Sequence, residues 1–267
     1  SPSERADWTE GTGVQTVAEN PEMDVLFWVG CAGSYDDRAK KTTKAFAELM
    51  QIANVNFKIL GTEERCTGDP ARRSGNEYLA DMLTKMNVET MNTYNVKTIV
   101  TTCPHCFNTL KNDYPQFGGN YEVMHHTQYI RDMIDSKKLV IDKNKVSQGA
   151  ITYHDSCYLG RYNEEYEAPR ATLSDIPGLT VLEVKRSGDK GLCCGAGGGR
   201  MFMEETVGRR VNEVRTEELL ATGATTIALN CPFCTTMITD GVKAAERIDD
   251  VQIKDISEIL LENLASR

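Results

Sequence analysis

Residues 97–106 read KTIVTTCPHC and residues 225–234 read TTIALNCPFC, so an apolar run leads into a C-P-x-C pair twice in this chain. Short apolar runs rich in β-branched residues predict buried strands. Proline fixes φ and turns the chain, so that the two cysteine sulfurs of a pair face the same point. Each stretch therefore predicts a strand that carries two thiols at its carboxyl end.

All nine cysteines fall into two copies of one longer pattern, in which a lone cysteine and a middle cysteine motif precede the C-P-x-C pair. The first copy consists of Cys31, Cys66, Cys103 and Cys106. The second copy consists of Cys157, Cys193, Cys194, Cys231 and Cys234. The lone and middle cysteines are 35 positions apart in the first copy and 36 in the second, which predicts a duplicated structural unit.

Strand and helix patterns alternate through both copies, which predicts an α/β protein with two pseudo-symmetric lobes. Each lobe is expected to hold a small, mainly parallel sheet flanked by helices. The predicted strands span residues 24–30, 56–60, 97–101, 150–154, 179–184 and 225–229. The predicted helices span residues 38–53, 75–94, 106–113, 124–134, 204–221, 234–244 and 256–264. Residues 1–23 are predicted to be a flexible lead-in or linker, and the lobes to cover residues 24–145 and 146–267.

The composition suits a globular protein, since 40% of the 267 residues are hydrophobic and 26% are charged. A net charge of -9 argues against a nucleic-acid partner, because phosphate binding needs a basic surface. No apolar run approaches the roughly 20 residues that a membrane-spanning helix needs. The chain opens with Ser1-Pro2 rather than methionine, so we expect it to be processed or part of a longer polypeptide.

Thiols that converge from distant positions predict a metal centre, and soft sulfur ligands select iron–sulfur clusters or zinc. An odd number of cysteines and C-P-x-C pairs argue against a disulfide framework. The second set has five thiols, more than one tetrahedral zinc can use, so it favours an iron–sulfur cluster. The first set has four, because Thr67 stands where the second copy has its adjacent cysteine, and four thiols fit a cubane cluster or zinc equally well.

Several motifs of the chain resemble the cysteine-rich CCG domain. They are His154-Asp155 before Cys157-Tyr158-Leu159-Gly160-Arg161, the Cys193-Cys194-Gly195 turn and both C-P-x-C pairs. That domain is duplicated in subunits B and D of heterodisulfide reductase, and the chain is also similar to the iron–sulfur subunit of glycolate oxidase. The resemblance implies two [4Fe-4S] clusters, with a noncubane cluster on the five cysteines of the second set. Because Thr67 departs from the family pattern, we expect a cubane cluster, or zinc, on the first set.

The resemblance implies an iron–sulfur oxidoreductase subunit or domain that carries electrons from a flavoprotein or ferredoxin-like partner to a quinone, a disulfide or another acceptor. One alternative is a thiol–disulfide reductase acting at the five-cysteine cluster, and another is a zinc-bound scaffold without redox activity. We expect a cytoplasmic protein, or one peripheral at the cytoplasmic face of the membrane with a membrane subunit as a further partner. No catalytic residue is assigned, and His154 remains open between a hydrogen-bond donor to the cluster and a structural histidine at a strand end.

Overall fold

The computed structural model describes residues 1–147 and 149–265 of the chain. The chain forms two compact units, Ser1–Tyr129 and Ile130–Arg267, which we call unit 1 and unit 2. Each unit contains one four-stranded parallel sheet with helices, so the predicted fold class is confirmed. None of the described helices has both the length and the apolar character needed to cross a membrane.

The sheet of unit 1 has the strand order β2-β1-β3-β4, and all its neighbouring strands are parallel. Its strands are β1 (Val25–Trp28), β2 (Phe57–Lys58), β3 (Thr98–Thr101) and β4 (Glu122–His125). Its helices are α1 (Gly30–Tyr35), α2 (Asp37–Ile52), α3 (Asp69–Arg73), α4 (Glu77–Thr93) and α5 (Pro104–Asn108), and α6 (His126–Asp135) follows β4. All four residues of β1 are buried, as expected for the central strand of a sheet covered on both faces.

The sheet of unit 2 repeats this arrangement with the order β6-β5-β7-β8, again with only parallel neighbours. Its strands are β5 (Gly149–Tyr153), β6 (Leu179–Val181), β7 (Thr226–Leu229) and β8 (Gln252–Asp255). Its further helices are α7 (Gly160–Asn163), α8 (Glu167–Ser174), α9 (Val211–Leu220), α10 (Pro232–Ala244) and α11 (Ile256–Leu261). The same order in both sheets is what the duplicated cysteine pattern predicts.

This strand order fixes the place of a ligand site in each unit. β2 pairs with one edge of β1, and β3 pairs with the other edge, beyond which β4 follows. The connections from β1 to β2 and from β3 to β4 therefore run in opposite directions along the sheet. In an open parallel sheet, the crevice between two such strands, at their carboxyl ends, is where ligands bind. The segments that follow β1 and β3, and those that follow β5 and β7, therefore border this crevice.

The secondary structure differs from the sequence-based expectation in several places. The short helices α1, α3, α7 and α8 were not predicted. The edge strands β4 and β8 were not predicted, and the first falls partly within a stretch expected to be helical. Residues 204–210 lie outside α9, although a helix was expected over 204–221. Gly208 has a φ of +73°, a left-handed conformation that a right-handed helix does not accommodate.

The first 23 residues, predicted to be flexible, contribute to the interior of unit 1. Pro2–Glu4 and Asp7–Thr9 form short 3-10 helices. The Trp8 side chain is 2% exposed and Val17 is fully buried, and the Trp8 ring meets the ring of Phe27 edge-on. The lobe bounds at residues 24–145 and 146–267 stay a prediction.

Candidate metal centres

Both C-P-x-C pairs begin a helix directly after the strand that borders the crevice. Cys103 is the N-cap residue of α5, Pro104 occupies the first helical position and Cys106 follows within the first turn. Cys231 and Cys234 have the same places at the start of α10. Side chains three residues apart share one face of a helix, and proline at the first position has no N–H that would go unpaired. The local fold therefore turns each pair of sulfurs toward the crevice.

The four cysteines of the first set lie together in unit 1, and we call them the first centre. The thiol of Cys31 contacts that of Cys66, and the thiol of Cys103 contacts that of Cys106. Cys106 also interacts electrostatically with both Cys31 and Cys66. Gly30, at a φ of +76°, lets the backbone after β1 pass beside this group, since a Cβ there would lie 3.3 Å from the Cys106 sulfur.

Two buried side chains hold the loop that carries Cys66. The Asn87 amide donates to the Cys66 carbonyl over 3.0 Å and to the Tyr114 hydroxyl over 3.0 Å. The Tyr114 hydroxyl in turn donates to the Thr67 carbonyl over 3.2 Å. Burial dominates the environment of Tyr114 and raises the pKa of its hydroxyl well above the usual value, so that it stays a donor. The loop is thus fixed through its backbone, and Thr67 is buried at the position of the missing cysteine.

A buried ion pair adjoins the first centre. The Arg5 guanidinium donates to the Glu64 carboxylate over 2.7 and 3.2 Å, and its Nη2 lies 3.5 Å from the Cys31 sulfur. Glu64 also accepts the backbone N–H groups of Val29 and Gly30 over 3.0 and 2.9 Å. Glu64 thereby ties the turn after β1 to the N-terminal segment, and a fixed positive charge stands beside the Cys31 sulfur.

The five cysteines of the second set lie together in unit 2, and we call them the second centre. The Cys193 sulfur is 4.0 Å from that of Cys157, and the Cys194 sulfur is 3.3 Å from that of Cys234. Cys231 contacts Cys234 and interacts electrostatically with Cys157. The adjacent Cys193 and Cys194 thus reach the same centre through different partners. A loop allows this, whereas a regular strand would point the two side chains to opposite faces of the sheet.

The glycine-rich segment after Cys194 supplies backbone donors to sulfur. The Gly195 N–H donates to the Cys193 sulfur over 3.3 Å, and the Gly197 N–H donates to it as well. Gly195 adopts a φ of +94°, a conformation that favours glycine. The segment therefore wraps the second centre with N–H groups oriented toward sulfur.

Asp155 anchors the loop that leads to Cys193. Its carboxylate accepts the Gly188 N–H over 2.7 Å and both terminal nitrogens of Arg170 over 2.8 and 3.0 Å. Although desolvation acts to raise it, the bonds from Arg170 and Gly188 hold the pKa of Asp155 below its usual range. A bidentate arginine–carboxylate pair of this kind restricts both side chains and the loop they bind.

Close packing gives neighbouring thiols within a centre different pKa values. Hydrogen bonding from Cys66 and the charge of Arg5 outweigh desolvation and lower the pKa of Cys31 to about 6, whereas the pKa of Cys66 is raised. In unit 2, hydrogen bonds from Cys157 and Cys194 lower the pKa of Cys193, and that of Cys157 is raised. The thiolate form is thus favoured at Cys31 beside Cys66 and at Cys193 beside Cys157. Binding a metal to both members of such a pair would release a proton.

The structure also shows that the nine cysteines, all within the described part of the chain, are thiols rather than cystines. Cys31, Cys66, Cys157 and Cys193 are half-buried, and the remaining cysteines are buried. Each centre therefore combines two half-buried cysteines with others that are buried.

His154 borders the second centre from the end of β5. Its ring is 1% exposed, and its Nδ1 lies 3.0 Å from the Nε of the fully buried Arg215. Ligand atoms of His154, Cys194 and Cys234 all lie within 4.8 Å of one another. Desolvation, reinforced by the charge of Arg215, lowers the pKa of His154 to about 3, so the ring is neutral near pH 7.

This pKa predicts that acid destabilises unit 2 through His154. The folded-state pKa of about 3 lies below the ordinary value of 6.5, so the unfolded chain binds more protons between these pH values. The free energy of unfolding is therefore expected to fall as the pH drops below about 6.5, by about 2 kcal/mol between pH 7 and pH 5. Urea unfolding of the metal-free protein at pH 7 and at pH 5 measures this loss of unfolding free energy. In His154→Gln the loss should be smaller by about 2 kcal/mol, because glutamine does not titrate. Equal losses in the two proteins would contradict the prediction.

The chain consists of two α/β units, each built on a sheet of parallel strands. In each unit, cysteine thiols gather at the carboxyl edge of the sheet, which defines a duplicated cysteine-rich α/β protein. A family model described as the CCG cysteine-rich domain matches residues 25–111 and again residues 151–239. The chain therefore belongs to the CCG cysteine-rich domain family, and the predicted resemblance is confirmed.

Similar proteins carry names of iron–sulfur oxidoreductases. FadF of Bacillus subtilis, named as a probable iron–sulfur-binding oxidoreductase, is 46% identical over 92% of this chain and 35% of its own length. The EtfAB:quinone oxidoreductase of Syntrophomonas wolfei is 44% identical over 96% of this chain and 37% of its own length. The D subunit of the dihydromethanophenazine:CoB–CoM heterodisulfide reductase of Methanosarcina barkeri is 34% identical over 91% of this chain and 59% of its own length. The chain thus spans less than two thirds of each of these relatives.

Several residues around the centres were not found from the sequence. Arg5 lies in a polar segment that gave no signal of burial. Glu64 lies in a loop, and its hydrogen-bond partners are far away in the sequence: Arg5 by 59 positions, and the N–H groups of residues 29 and 30 by 35 and 34. Asn87 and Arg215 occupy helices in which polar residues are ordinarily solvated. The His154-Asp155 motif was noted, but its partners Arg170 and Arg215 could be identified only from the fold.

Proposed function

We propose that this chain is the cysteine-rich part of an iron–sulfur electron-transfer oxidoreductase. The observation that carries the proposal is the convergence of nine free thiols into two sets, one of them with five members. Five sulfurs exceed the four ligands of a structural zinc site, whereas iron–sulfur clusters are ordinarily held by cysteine thiolates. Similarity to iron–sulfur oxidoreductases supports the same reading.

In this proposal Cys157, Cys193, Cys194, Cys231 and Cys234 hold one [4Fe-4S] cluster, of the noncubane type. Cys31, Cys66, Cys103 and Cys106 hold a second, cubane cluster. Bound clusters would supply one-electron transfer chemistry. The chain's own residues hold and surround them: the N–H groups of Gly195 and Gly197 donate to sulfur, and Arg5 places a positive charge beside the first centre. Hydrogen bonds and nearby charge are the means by which a protein tunes such centres.

Two cysteines in each unit are half-buried rather than buried, which suits electron exchange with other redox groups. We propose a flavoprotein or ferredoxin-like donor and a quinone or disulfide acceptor, in line with the acceptors named for two of the relatives. A membrane subunit as partner, and a location in the cytoplasm or at the cytoplasmic face of the membrane, remain part of the proposal.

Metal analysis of the protein purified without oxygen tests this proposal. We expect stoichiometric iron and acid-labile sulfide, the brown colour of an iron–sulfur protein and paramagnetic signals of two distinct centres. Iron in unit 2 with zinc in unit 1 would retain the second centre and restrict redox activity to it. A colourless protein with stoichiometric zinc and no iron, obtained under the same conditions, would overturn the proposal in favour of a scaffold.

A further inference from the structure

The ring of His154 stands between a buried arginine and the sulfurs of the second centre. His154 follows β5 directly, and its backbone N–H donates to the Ala228 carbonyl over 3.1 Å, so the strand pairing fixes its backbone. Its Nδ1 faces Arg215, and a ring nitrogen lies within 4.8 Å of the Cys194 and Cys234 sulfurs. Its Nε2 is buried and has no hydrogen-bond partner among the described residues.

Arg215 decides which ring nitrogen carries the proton. A guanidinium has only donors, so the Nε of Arg215 must donate to Nδ1 of His154, and Nδ1 must be the acceptor. A neutral imidazole with an accepting Nδ1 carries its hydrogen on Nε2. A protonated ring nitrogen has no lone pair to give a metal. The Nε2 of His154 is therefore a hydrogen-bond donor and not an additional ligand of the second centre.

The position of Arg215 is itself fixed by its other contacts. Its Nη1 donates to the Arg186 carbonyl over 2.8 Å and to the Glu218 carboxylate over 3.1 Å, and the whole side chain is buried. Arg215 cannot move away from His154 without leaving these acceptors. The orientation and the protonated nitrogen of the imidazole are thus both determined by the fold.

A buried N–H without a partner is unfavourable, so its neighbourhood is expected to provide an acceptor when the site is filled. The groups within reach of the His154 ring include the sulfurs of Cys194 and Cys234. Trp28 is the counterpart of His154 in the first copy, because it lies 126 positions earlier and three residues before Cys31. It also has a buried ring N–H without a partner among the described residues. A ring N–H at this place recurs in both copies.

We propose that the Nε2–H of His154 donates a hydrogen bond to sulfur in the second centre and thereby raises its reduction potential. The acceptor is a thiolate of Cys194 or Cys234, or an inorganic sulfide of the cluster they would hold. A donor to sulfur favours the reduced form, which is the more negative one. This inference rests on the proposed function, because it requires an iron–sulfur cluster in unit 2.

A redox titration of the intact chain, followed by electron paramagnetic resonance, tests the inference. His154→Phe removes the donor, whereas His154→Gln can place an amide N–H near the position of Nε2. At the potential where the second centre is half-reduced in the unchanged protein, we expect His154→Phe to lower the reduced-to-oxidised ratio about tenfold, a shift of about 59 mV for one electron. His154→Gln should restore most of this shift, and the first centre should keep its potential in both variants.

A second measurement needs no metal, and it observes the unchanged chain, so that a folding defect in a variant cannot mimic the result. Nitrogen NMR of the metal-free chain with labelled histidine should show His154 as the Nε2–H tautomer, with its signal assigned by its absence in His154→Gln. The Nδ1–H tautomer would overturn the inference, as would a loaded second centre whose potential is the same in His154→Phe and the unchanged protein. A chain that takes up no iron in unit 2 would instead overturn the proposed function, and the inference with it.

Discussion

Replacing Glu64 with leucine is expected to lower the free energy of unfolding of unit 1 by about 3–5 kcal/mol. The Glu64 side chain is almost fully buried and accepts four hydrogen bonds, two from Arg5 and one each from the Val29 and Gly30 N–H groups. Leucine can accept none of them. The Arg5 charge would remain buried without its partner, and two backbone donors would be left unpaired. Leaving these groups unpaired lowers the free energy of unfolding far more than an intact ion pair raises it.

Urea unfolding of the single and double variants measures this effect. Arg5→Met combined with Glu64→Leu removes both charges, so the double variant should recover part of the loss. Arg209→Ala breaks an exposed pair with Glu217 and serves as a control, because exposed ion pairs contribute little. A Glu64→Leu protein as stable as the Arg209→Ala control would show that the buried pair does not support unit 1.

Replacing Cys194 with serine is expected to abolish or transform the paramagnetic signal of the second centre and to leave that of the first unchanged. Cys194 is buried, and its sulfur lies 3.3 Å from that of Cys234. A serine hydroxyl is neutral near pH 7 and is a much poorer ligand for iron than a thiolate. If the cluster of unit 2 is lost entirely, bound iron should fall by roughly half, since each unit is proposed to hold one cluster.

Cys66→Ser is the comparison variant in unit 1, because Cys66 belongs to the corresponding middle motif, in which Thr67 stands at the place of Cys194. It should change the first centre and leave the second intact, which iron analysis and spectra of both variants would reveal. Equal changes in both signals from either single substitution would contradict the assignment of one separate centre to each unit.

The pattern of cysteines allowed much of the candidate site to be predicted, because metal ligands are few and their spacing repeats. The strands before Cys31, Cys103 and Cys231 were also predictable, since buried parallel strands appear as short apolar runs. The edge strands β4 and β8 were not, because only the last of the four residues in each is buried, so neither contains a continuous apolar run. The burial of residues near the N-terminus was missed because its contacts, such as Arg5 with Glu64, are made far along the chain.

The amino-acid sequence by itself determined the duplication, the α/β class and the identity of the sulfur groups, because these follow from residue type, period and spacing. The tertiary structure alone decided which sulfurs face each other, which thiol of each centre is acidic, and which nitrogen of His154 carries a hydrogen. These properties depend on distances and burial among groups brought together from remote positions, such as His154 and Arg215, which are 61 residues apart. Local sequence preferences do not record such distances, since they arise only when the sheet and its helices have packed.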